Sequence, residues 1–417
     1  MRILFFATYP TQPNGYARIG NILSNHLAEM GHEVHYIGIS NFKNSSVTRT
    51  VHPKIQLIDA LEERSADSTE LYGVDIFCST IAKIKPDLIF IYNDIVVISR
   101  IFNEFINQKV DTKEFKVCTY LDLVYDYEKV QFVQHVNAHS DYILVFSKCW
   151  KDNLVEMGVP EHKIDILPHG IDTTLFFKKT DEDNAKIREH FNFSPDDFIV
   201  LNTNRNNYRK AIDLTIEAFL HFLARNNGDP KIKLYLNMDT TTNTGYDILN
   251  LIKVNCLHHK LDYNKMTTQH IFTRHQNAYL PDSSVNELYN MCDVGMNTCV
   301  GEGFGLCNLE HGGIGKPQVV SKVGALKDIF TNDRGTLIEP RAKLYIADTM
   351  DVHGGYIHIC SALDFSDALH KYYHDRTLAS AHGTQASAHI LANYEWTQVL
   401  STLTQKMHIM EYFNTII

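Results

Sequence analysis

The sequence lacks three features that would point directly to a common class of protein. None of its 8 cysteines stands in a Cys-x-x-Cys pair, no Gly-x-Gly-x-x-Gly segment occurs, and no apolar run reaches the roughly 18 residues of a membrane span. These absences argue against a zinc knuckle, a dinucleotide-dependent dehydrogenase and a protein with a transmembrane segment.

A surplus of positive charge is also missing. The chain has 39 lysines and arginines against 49 aspartates and glutamates, a net charge of -10. This balance gives no general attraction for nucleic acid, so we expect no nucleic-acid partner, while a local basic patch leaves peripheral membrane contact open. The opening "MRILFF" is too short for the apolar part of a signal peptide. Cysteines scattered through apolar stretches are typical of reduced thiols, and we expect a soluble, cytoplasmic protein.

What the sequence does contain is a regular alternation of strand and helix patterns. "RILFFA" predicts a buried strand, and the helix after it repeats apolar residues at Ile19, Leu23 and Leu27. Such units recur along the chain, whose 417 residues exceed what one hydrophobic core normally supports, and a polar stretch at 178–197 separates two series of them. We therefore predict an α/β protein with two doubly wound, Rossmann-like domains.

The glycine-rich segment "VGEGFGLCNLE" is the first candidate site. It follows a predicted strand ending at Cys299 and precedes a helix predicted to start near Leu306, so its backbone N–H groups lie at a helix N-terminus, where anions bind. Glu302 and Glu310 would accept hydrogen bonds from sugar hydroxyls. A tight turn with two solvated carboxylates explains the spacing equally well.

Cations stand after the first strand of the predicted second domain. In "NTNRNNYRKAIDL", Arg205 follows the strand and Lys210 opens the next helix, so both project from the carboxyl edge of the sheet. There they would clamp a diphosphate and stabilise its charge as it leaves. Arg209 competes for either role, and a solvated basic loop is the alternative interpretation. In the first domain, Gly15 lies between the first strand and the first helix, where its amide would face the same ligand.

Together these segments resemble the signatures of the retaining GT-B glycosyltransferases of family 4. "EGFGLCNLE" resembles the family's two glutamates with seven residues between them, and "NRNNYRKAIDLTIEAF" its arginine and lysine. The likeness continues in "NGYARIGNILSNHLAEMGHEVHYIG", "VFSKCWKDNLVEMGVPEHKIDILPHGIDTTLF" and "YLPDSSVNELYNMCDVGMNT". Several motifs in the right order are more specific than any one of them.

The resemblance implies a GT-B architecture with two domains facing a central cleft. Residues 1–178 would form the acceptor-side domain, 179–394 the nucleotide-sugar-binding domain, and 395–417 a helix that crosses back to the first. It further implies a hexosyltransferase of glycan synthesis that needs no metal and no cofactor besides its nucleotide-sugar co-substrate, with a glycan or another hydroxyl as acceptor. Prevalence in the family favours GDP-mannose over UDP-linked hexoses.

The resemblance also implies roles for single residues. Arg205 and Lys210 would hold the diphosphate, Glu310 the ribose and Glu302 the sugar, and the backbone near "TRHQNAYLP" would contact the base. The implied donor-binding residues are Gly15, Arg205, Lys210, Glu302, Gly303, Phe304, Gly305, Leu306 and Glu310. The implied catalytic residues are Glu302, Arg205, Lys210 and Asp122. The departing phosphate oxygen would deprotonate the acceptor, so no protein nucleophile is required.

One position departs from the family pattern. The segment "TYLDLVYDY" has Leu121 where the family usually has a histidine that touches the donor sugar, and only Asp122 of the usual pair is left. A catalytically inactive nucleotide-sugar-binding or assembly protein of the same fold is therefore the second hypothesis. "RAKLYIADTMDVHGGYIHI" resembles an insertion late in the second domain.

No metal site is predicted. The spacing of Cys292, Cys299 and Cys307 fits no zinc knuckle, and we expect these residues in the core. The 22 histidines, among them the adjacent His258 and His259, match no set of metal ligands and are expected on helix surfaces in contact with solvent.

Overall fold

The chain divides into two compact units. The computed structural model describes residues 1–43, 45–274, 280–331, 333–347, 349 and 351–414, with side chains as far as Glu411. The first unit comprises Met1–His169, Tyr345–Tyr356 and Trp396–Ile417, and the second comprises Gly170–Leu344 and Ile357–Glu395.

A parallel sheet of seven strands forms the centre of the first unit, in the order β3-β2-β1-β4-β5-β6-β7. The strands are β1 (Arg2–Thr8), β2 (Glu33–Ile39), β3 (Ile55–Asp59), β4 (Leu88–Asp94), β5 (Lys116–Asp122), β6 (Tyr142–Val145) and β7 (Ile164–Ile166). The helices are α1 (Gly15–Glu29), α2 (Ala60–Glu63), α3 (Val74–Ile84), α4 (Ile95–Asn107), α5 (Val130–His139) and α6 (Lys148–Glu156). The run from Ile3 to Ala7 in β1 is fully buried because helices cover both faces of such a sheet.

A parallel sheet of six strands forms the centre of the second unit, in the order β10-β9-β8-β11-β12-β13. The helices are α7 (Asp181–His190), α8 (Ile212–Arg225), α9 (Ile248–His258), α10 (Tyr263–Gln269), α11 (Asp282–Met291), α12 (Leu306–Gly313), α13 (Leu326–Ile329), α14 (Ala362–His374) and α15 (Arg376–Asn393). The strands are β8 (Phe198–Asn202), β9 (Ile232–Leu236), β10 (Ile271–Thr273), β11 (Val294–Asn297), β12 (Gln318–Ser321) and β13 (Thr336–Ile338); β14 (Ala342–Tyr345) and β15 (Tyr356–Ile359) form a separate two-stranded sheet. The predicted α/β fold with two Rossmann-like domains is confirmed.

The boundary between the units differs from the one predicted at residues 178 and 179. The second unit begins at Gly170, because Ile171 pairs with Glu395 and the Phe177 amide donates to the Asn286 side chain at 3.3 Å. The polar stretch predicted as a boundary contains helix α7. A largely exposed helix has the same polar composition as a linker, so the sequence does not separate the two.

The segment 341–359 was predicted as an insertion in the second domain, but its residues Tyr345–Tyr356 belong to the first unit. Within that unit, the Tyr125 hydroxyl donates to the Asp351 carboxylate at 3.0 Å, and the Lys129 amide donates to the His353 carbonyl at 3.1 Å. These contacts join residues more than two hundred positions apart, which no local pattern indicates.

The last helix, α16 (Trp396–Asn414), packs within the first unit. His26 Nε2 lies 2.8 Å from Thr404 Oγ1, and Lys406 Nζ lies 3.1 Å from the Asp165 carboxylate. Across the described part of the chain, no helix combines the length and the apolar character needed to span a membrane. All eight cysteines are free thiols and six are buried, as expected from the sequence.

A buried arginine fastens α7 to the second sheet and gives a test of this unit. Arg188 donates to the Met291 carbonyl at 3.0 Å, the Asp197 carbonyl at 2.9 Å and the Asp293 carboxylate at 2.9 Å.

We expect Arg188→Met to lower the free energy of unfolding by about 3 kcal/mol, because these acceptors lose their donor. Urea denaturation measures this. Lys186→Ala, on the exposed face of the same helix, is the control and should change it by less than about 0.5 kcal/mol; equal effects would contradict the prediction.

Candidate functional site

The candidate site of the second unit lies where the order of its strands reverses. Strands β8 and β11 are neighbours at the centre of the sheet, and the chain leaves them toward opposite edges. Such a switch point opens a crevice at the carboxyl ends of the strands, where doubly wound proteins bind ligands. Two loops lie there, residues 203–211 after β8 and residues 298–305 after β11.

The loop after β8 turns Lys210 inward. The Asn207 side chain accepts from the Lys210 amide at 3.1 Å, and Ala211 adopts the left-handed conformation with φ of 46°. The Thr298 hydroxyl, within 2.9 Å of the Ala211 carbonyl, holds this unfavourable backbone from the second loop. The sequence pattern placed Lys210 at a helix start but gave no sign of the left-handed residue after it.

The loop after β11 requires glycine at one position. Gly305 has φ of 90°, and a Cβ there would lie 2.6 Å from Cδ2 of Leu326. The residue directly precedes Leu306, the first residue of α12, where the helix was predicted to start. Glycine is therefore present because of backbone conformation and close packing, whatever ligand the loop binds.

These loops join Lys210 to Glu302 in a buried ion pair. The Lys210 ammonium donates to Glu302 Oε2, Arg209 Nη1 lies 3.5 Å from Oε1, and Asn297 Nδ2 lies 3.3 Å from Oε2. Burial by itself would raise the pKa of Glu302, but the charges of Lys210 and Arg209 outweigh it and lower that pKa to about 2. Glu302 is therefore ionised at neutral pH.

The sequence favoured Arg205 as the partner of Lys210, but the structure places Arg209 beside the carboxylate. Lys210 is buried, Arg205 is exposed, and the second cation next to Glu302 is Arg209, which also donates to the Gly301 carbonyl at 2.6 Å. The sequence named Arg209 only as a competitor. Arg209 and Lys210 belong to one short 3₁₀ turn. The sequence does not show which side chains of such a turn face the carboxylate.

Glu310 is hydrogen-bonded to a tyrosine of α11. It lies in α12, is 5% exposed, and accepts from the Tyr289 hydroxyl at 2.9 Å. The Tyr289 ring stacks on His311, with centroids 5.0 Å apart. Burial, and then the charge of Glu310, raise the pKa of Tyr289 far above its usual value, so this hydroxyl stays a donor. Tyr289 was not among the residues that the sequence singled out.

In the first unit, Gly15 begins a helix and Asp122 ends a strand. Gly15 is the first residue of α1, capped by the Asn14 side chain, and Asp122 is the last residue of β5. Tyr16, next to Gly15, donates its hydroxyl to Asp122 at 2.5 Å. Leu121 is fully buried, like Thr119 and Tyr120 before it, because both faces of this sheet are covered.

The first unit also contains a pair of opposite charges that the sequence did not predict, formed by the buried Glu128 and the largely buried His353. His353 Nδ1 lies 3.3 Å from the Glu128 carboxylate, which is 1% exposed. Burial would lower the pKa of His353, but Glu128 outweighs this and raises the pKa to about 9. His353 is in the segment predicted as an insertion, so nothing in the sequence linked it to Glu128.

Two expectations concern residues outside these groups. Within the described residues, Cys292, Cys299 and Cys307 do not form a cluster of possible metal ligands. Of the segment expected to contact the base, residues 275–279 lie outside the described part of the chain.

The chain has two Rossmann-like α/β units, and a buried lysine and glutamate lie at the switch point of the second. Residues 197–351 match the family described as "Glycosyl transferases group 1". The predicted resemblance to this group of glycosyltransferases is confirmed, and assignment to family 4 stays a prediction.

Individual relatives are distant. The mannosylfructose-phosphate synthase of Agrobacterium fabrum is 26% identical over 205 residues, 48% of this chain and 41% of that protein. The chain spans about half the length of the curated relatives it matches. Sucrose-phosphate synthase from Thermosynechococcus elongatus superposes with a TM-score of 0.73 at 16% identity, covering 99% of this chain and 100% of that one. Anabaena HepE in complex with UDP-glucose gives 0.69 at 14% identity, covering 98% and 99%. At these identities the structural likeness shows the fold alone.

The pair of His353 and Glu128 predicts a pH dependence of stability. The pKa of about 9 in the folded chain exceeds the roughly 6.5 of an unfolded histidine, so the stabilisation is complete below about pH 6.5 and is lost as the pH rises through 9. We expect His353→Gln to lower the free energy of unfolding by about 1–3 kcal/mol at pH 6 and by much less at pH 9.5. Urea denaturation at both values measures this, with the exposed His162→Gln as control. The same deficit at both pH values would contradict it.

Proposed function

We propose that the chain is a glycosyltransferase that moves a hexose from a nucleotide sugar to a hydroxyl acceptor. The observation that carries this proposal is the buried pair of Lys210 and Glu302 at the switch point, within the residues that match the glycosyl transferase family. Nucleotide ligands of doubly wound sheets bind at such points. The relatives by sequence and by fold are consistent with it.

The loop after β8 would neutralise the donor's diphosphate. Lys210 and Arg209 contact Glu302, and Arg205 is exposed on the same loop. Cations fixed in advance stabilise the charge that develops on a leaving diphosphate, and they lose little entropy when it binds. Glu302 thus has a positioning role for Lys210 as well as the proposed contact with the donor sugar.

Backbone and carboxylate groups would bind the sugar and the ribose. Residues 303–306 carry backbone N–H groups at the N-terminus of α12, where the helix favours negative charge. Glu310 uses one oxygen to accept from Tyr289, and we propose that it also accepts from the ribose. Roles for Gly15 and Asp122 of the first unit remain predictions.

The proposed reaction retains configuration and requires no metal ion. The bond from the anomeric carbon to the diphosphate oxygen breaks, and its electron pair leaves with the nucleoside diphosphate. A bond from the anomeric carbon to the acceptor oxygen forms on the same face, and the acceptor proton passes to the departing phosphate oxygen. The cations of the loop after β8 neutralise the charge that a divalent ion neutralises in other phosphate-transfer sites.

Mannose from GDP-mannose is the donor we propose first, and glucose from UDP-glucose is the main competitor. The first agrees with the mannosyl group in the name of the Agrobacterium relative, the second with the complex of Anabaena HepE.

An inactive nucleotide-sugar-binding protein of the same fold is the second candidate. The buried Leu121 favours it, because an apolar side chain cannot make the polar contact to the donor sugar that the resemblance implies for a histidine at this position.

Donor preference and catalysis can be tested together. We expect one nucleotide sugar in a panel of GDP-mannose, UDP-glucose and other UDP-hexoses to raise the thermal midpoint of unfolding and to be consumed, by transfer or slow hydrolysis, at the same rate with and without EDTA. Chromatography of the released nucleoside diphosphate measures this. Binding without any turnover would select the inactive protein, and no binding of any donor would refute both.

The role of the ion pair is tested by removing each charge. We expect Lys210→Ala and Glu302→Gln to lower kcat/KM by about 10²–10³-fold, as the loss of one fixed charge-stabilising group does. Lys322→Ala is the control, because Lys322 pairs with Glu339 on the surface. The double variant Lys210→Met with Glu302→Gln should be more thermally stable than either single variant, because neither charge of the pair is left buried without the other, but it should not regain activity. Full activity in a folded Lys210→Ala protein would refute the role.

A further inference from the structure

One glutamate and three histidines cluster on the surface of the second unit, where α8 lies beside α9. Glu217 and His221 are four residues apart on α8 and share one face, while His258 and His259 stand at the end of α9. His259 Nε2 is 3.0 Å from one oxygen of the Glu217 carboxylate, and His221 Nε2 is 3.2 Å from the other.

Three of these side chains place their possible ligand atoms close enough together to hold a metal ion. One oxygen of Glu217 and one ring nitrogen each of His258 and His259 all lie within 4.8 Å of one another. Around a tetrahedral zinc ion, with bonds of about 2.0–2.2 Å, ligand atoms are roughly 3.4 Å apart. Rotations of the side chains about their χ angles would bring the ligand atoms from within 4.8 Å to about 3.4 Å of one another.

The donor set selects the kind of ion. Imidazole nitrogen with a carboxylate suits zinc and similar transition metals, whereas calcium and magnesium take oxygen ligands. Glu217 and His259 are 28% and 22% exposed, so their side chains are partly fixed by their surroundings, yet an ion can reach them. Cys256 of α9 is 1% exposed in the core and does not belong to the set.

We propose that Glu217, His258 and His259 bind a zinc ion, with His221, which lies 3.2 Å from the other Glu217 oxygen, as a candidate for the fourth position. The ion joins α8 to α9 and stabilises the second unit. Glu217 lies more than a turn along α8 from its first residue, Ile212, whereas the loop proposed to bind the diphosphate, residues 203–211, precedes that residue. The zinc site therefore does not depend on the proposed glycosyltransferase function.

The test uses the full chain after treatment with EDTA and dialysis. Calorimetric titration with zinc chloride should show one site of micromolar or tighter affinity, and zinc should raise the thermal midpoint by about 2–5 °C. In the variant with His258→Ala and His259→Ala, affinity should fall at least tenfold and the stabilisation should disappear. Glu217→Gln is a second variant that removes a ligand without changing side-chain size.

The matched control removes another pair of surface histidines. His370 and His374 lie one turn apart on α14, with ring centroids 4.3 Å apart, and their rings bond to the Asn226 amide oxygen in place of a carboxylate. The variant with both changed to alanine should bind zinc as the unmodified chain does. The proposal is refuted if the variants at His258, His259 and Glu217 keep full affinity, or if zinc does not stabilise the unmodified chain.

Discussion

The contact between the Lys210 ammonium and the Glu302 carboxylate is the interaction on which the candidate site depends. Two charges buried together cost desolvation energy that only close pairing and further hydrogen bonds offset, and Arg209 and Asn297 supply these. The pair sets the position of each charge before any ligand arrives. The diphosphate of the proposed donor would meet a cation that is already fixed.

The backbone around this pair is shaped to hold it. Ala211 accepts a left-handed conformation directly after Lys210, and Gly305 accepts one just before α12. Both residues lie where a strand is connected to a helix at the switch point, so the sheet order determines which loops meet. Local strain at Ala211 is tolerated because Thr298, from the neighbouring loop, fixes its carbonyl.

Much of the architecture was predictable because doubly wound sheets leave strong local signals. Buried strands are continuous apolar runs, and helices repeat apolar residues every three or four positions. The strand in "RILFFA" and the helix after it were therefore predicted correctly. The sequence did not predict the unit boundary near Gly170 or the membership of Tyr345–Tyr356 in the first unit, because both follow from contacts between distant residues. The pairing of His353 with Glu128 and the proximity of Glu217 to His258 were not predicted for the same reason.

The sequence by itself determined that two α/β units occur and that Lys210, Glu302 and Glu310 stand at loop and helix positions near strand ends, because hydrophobic periodicity and glycine are local properties. Only the tertiary structure decided that Lys210 pairs with Glu302, that Arg209 rather than Arg205 is the second cation, and that Glu310 bonds to Tyr289. Which side chains meet depends on strand order and on single backbone angles, and the linear order of residues records neither.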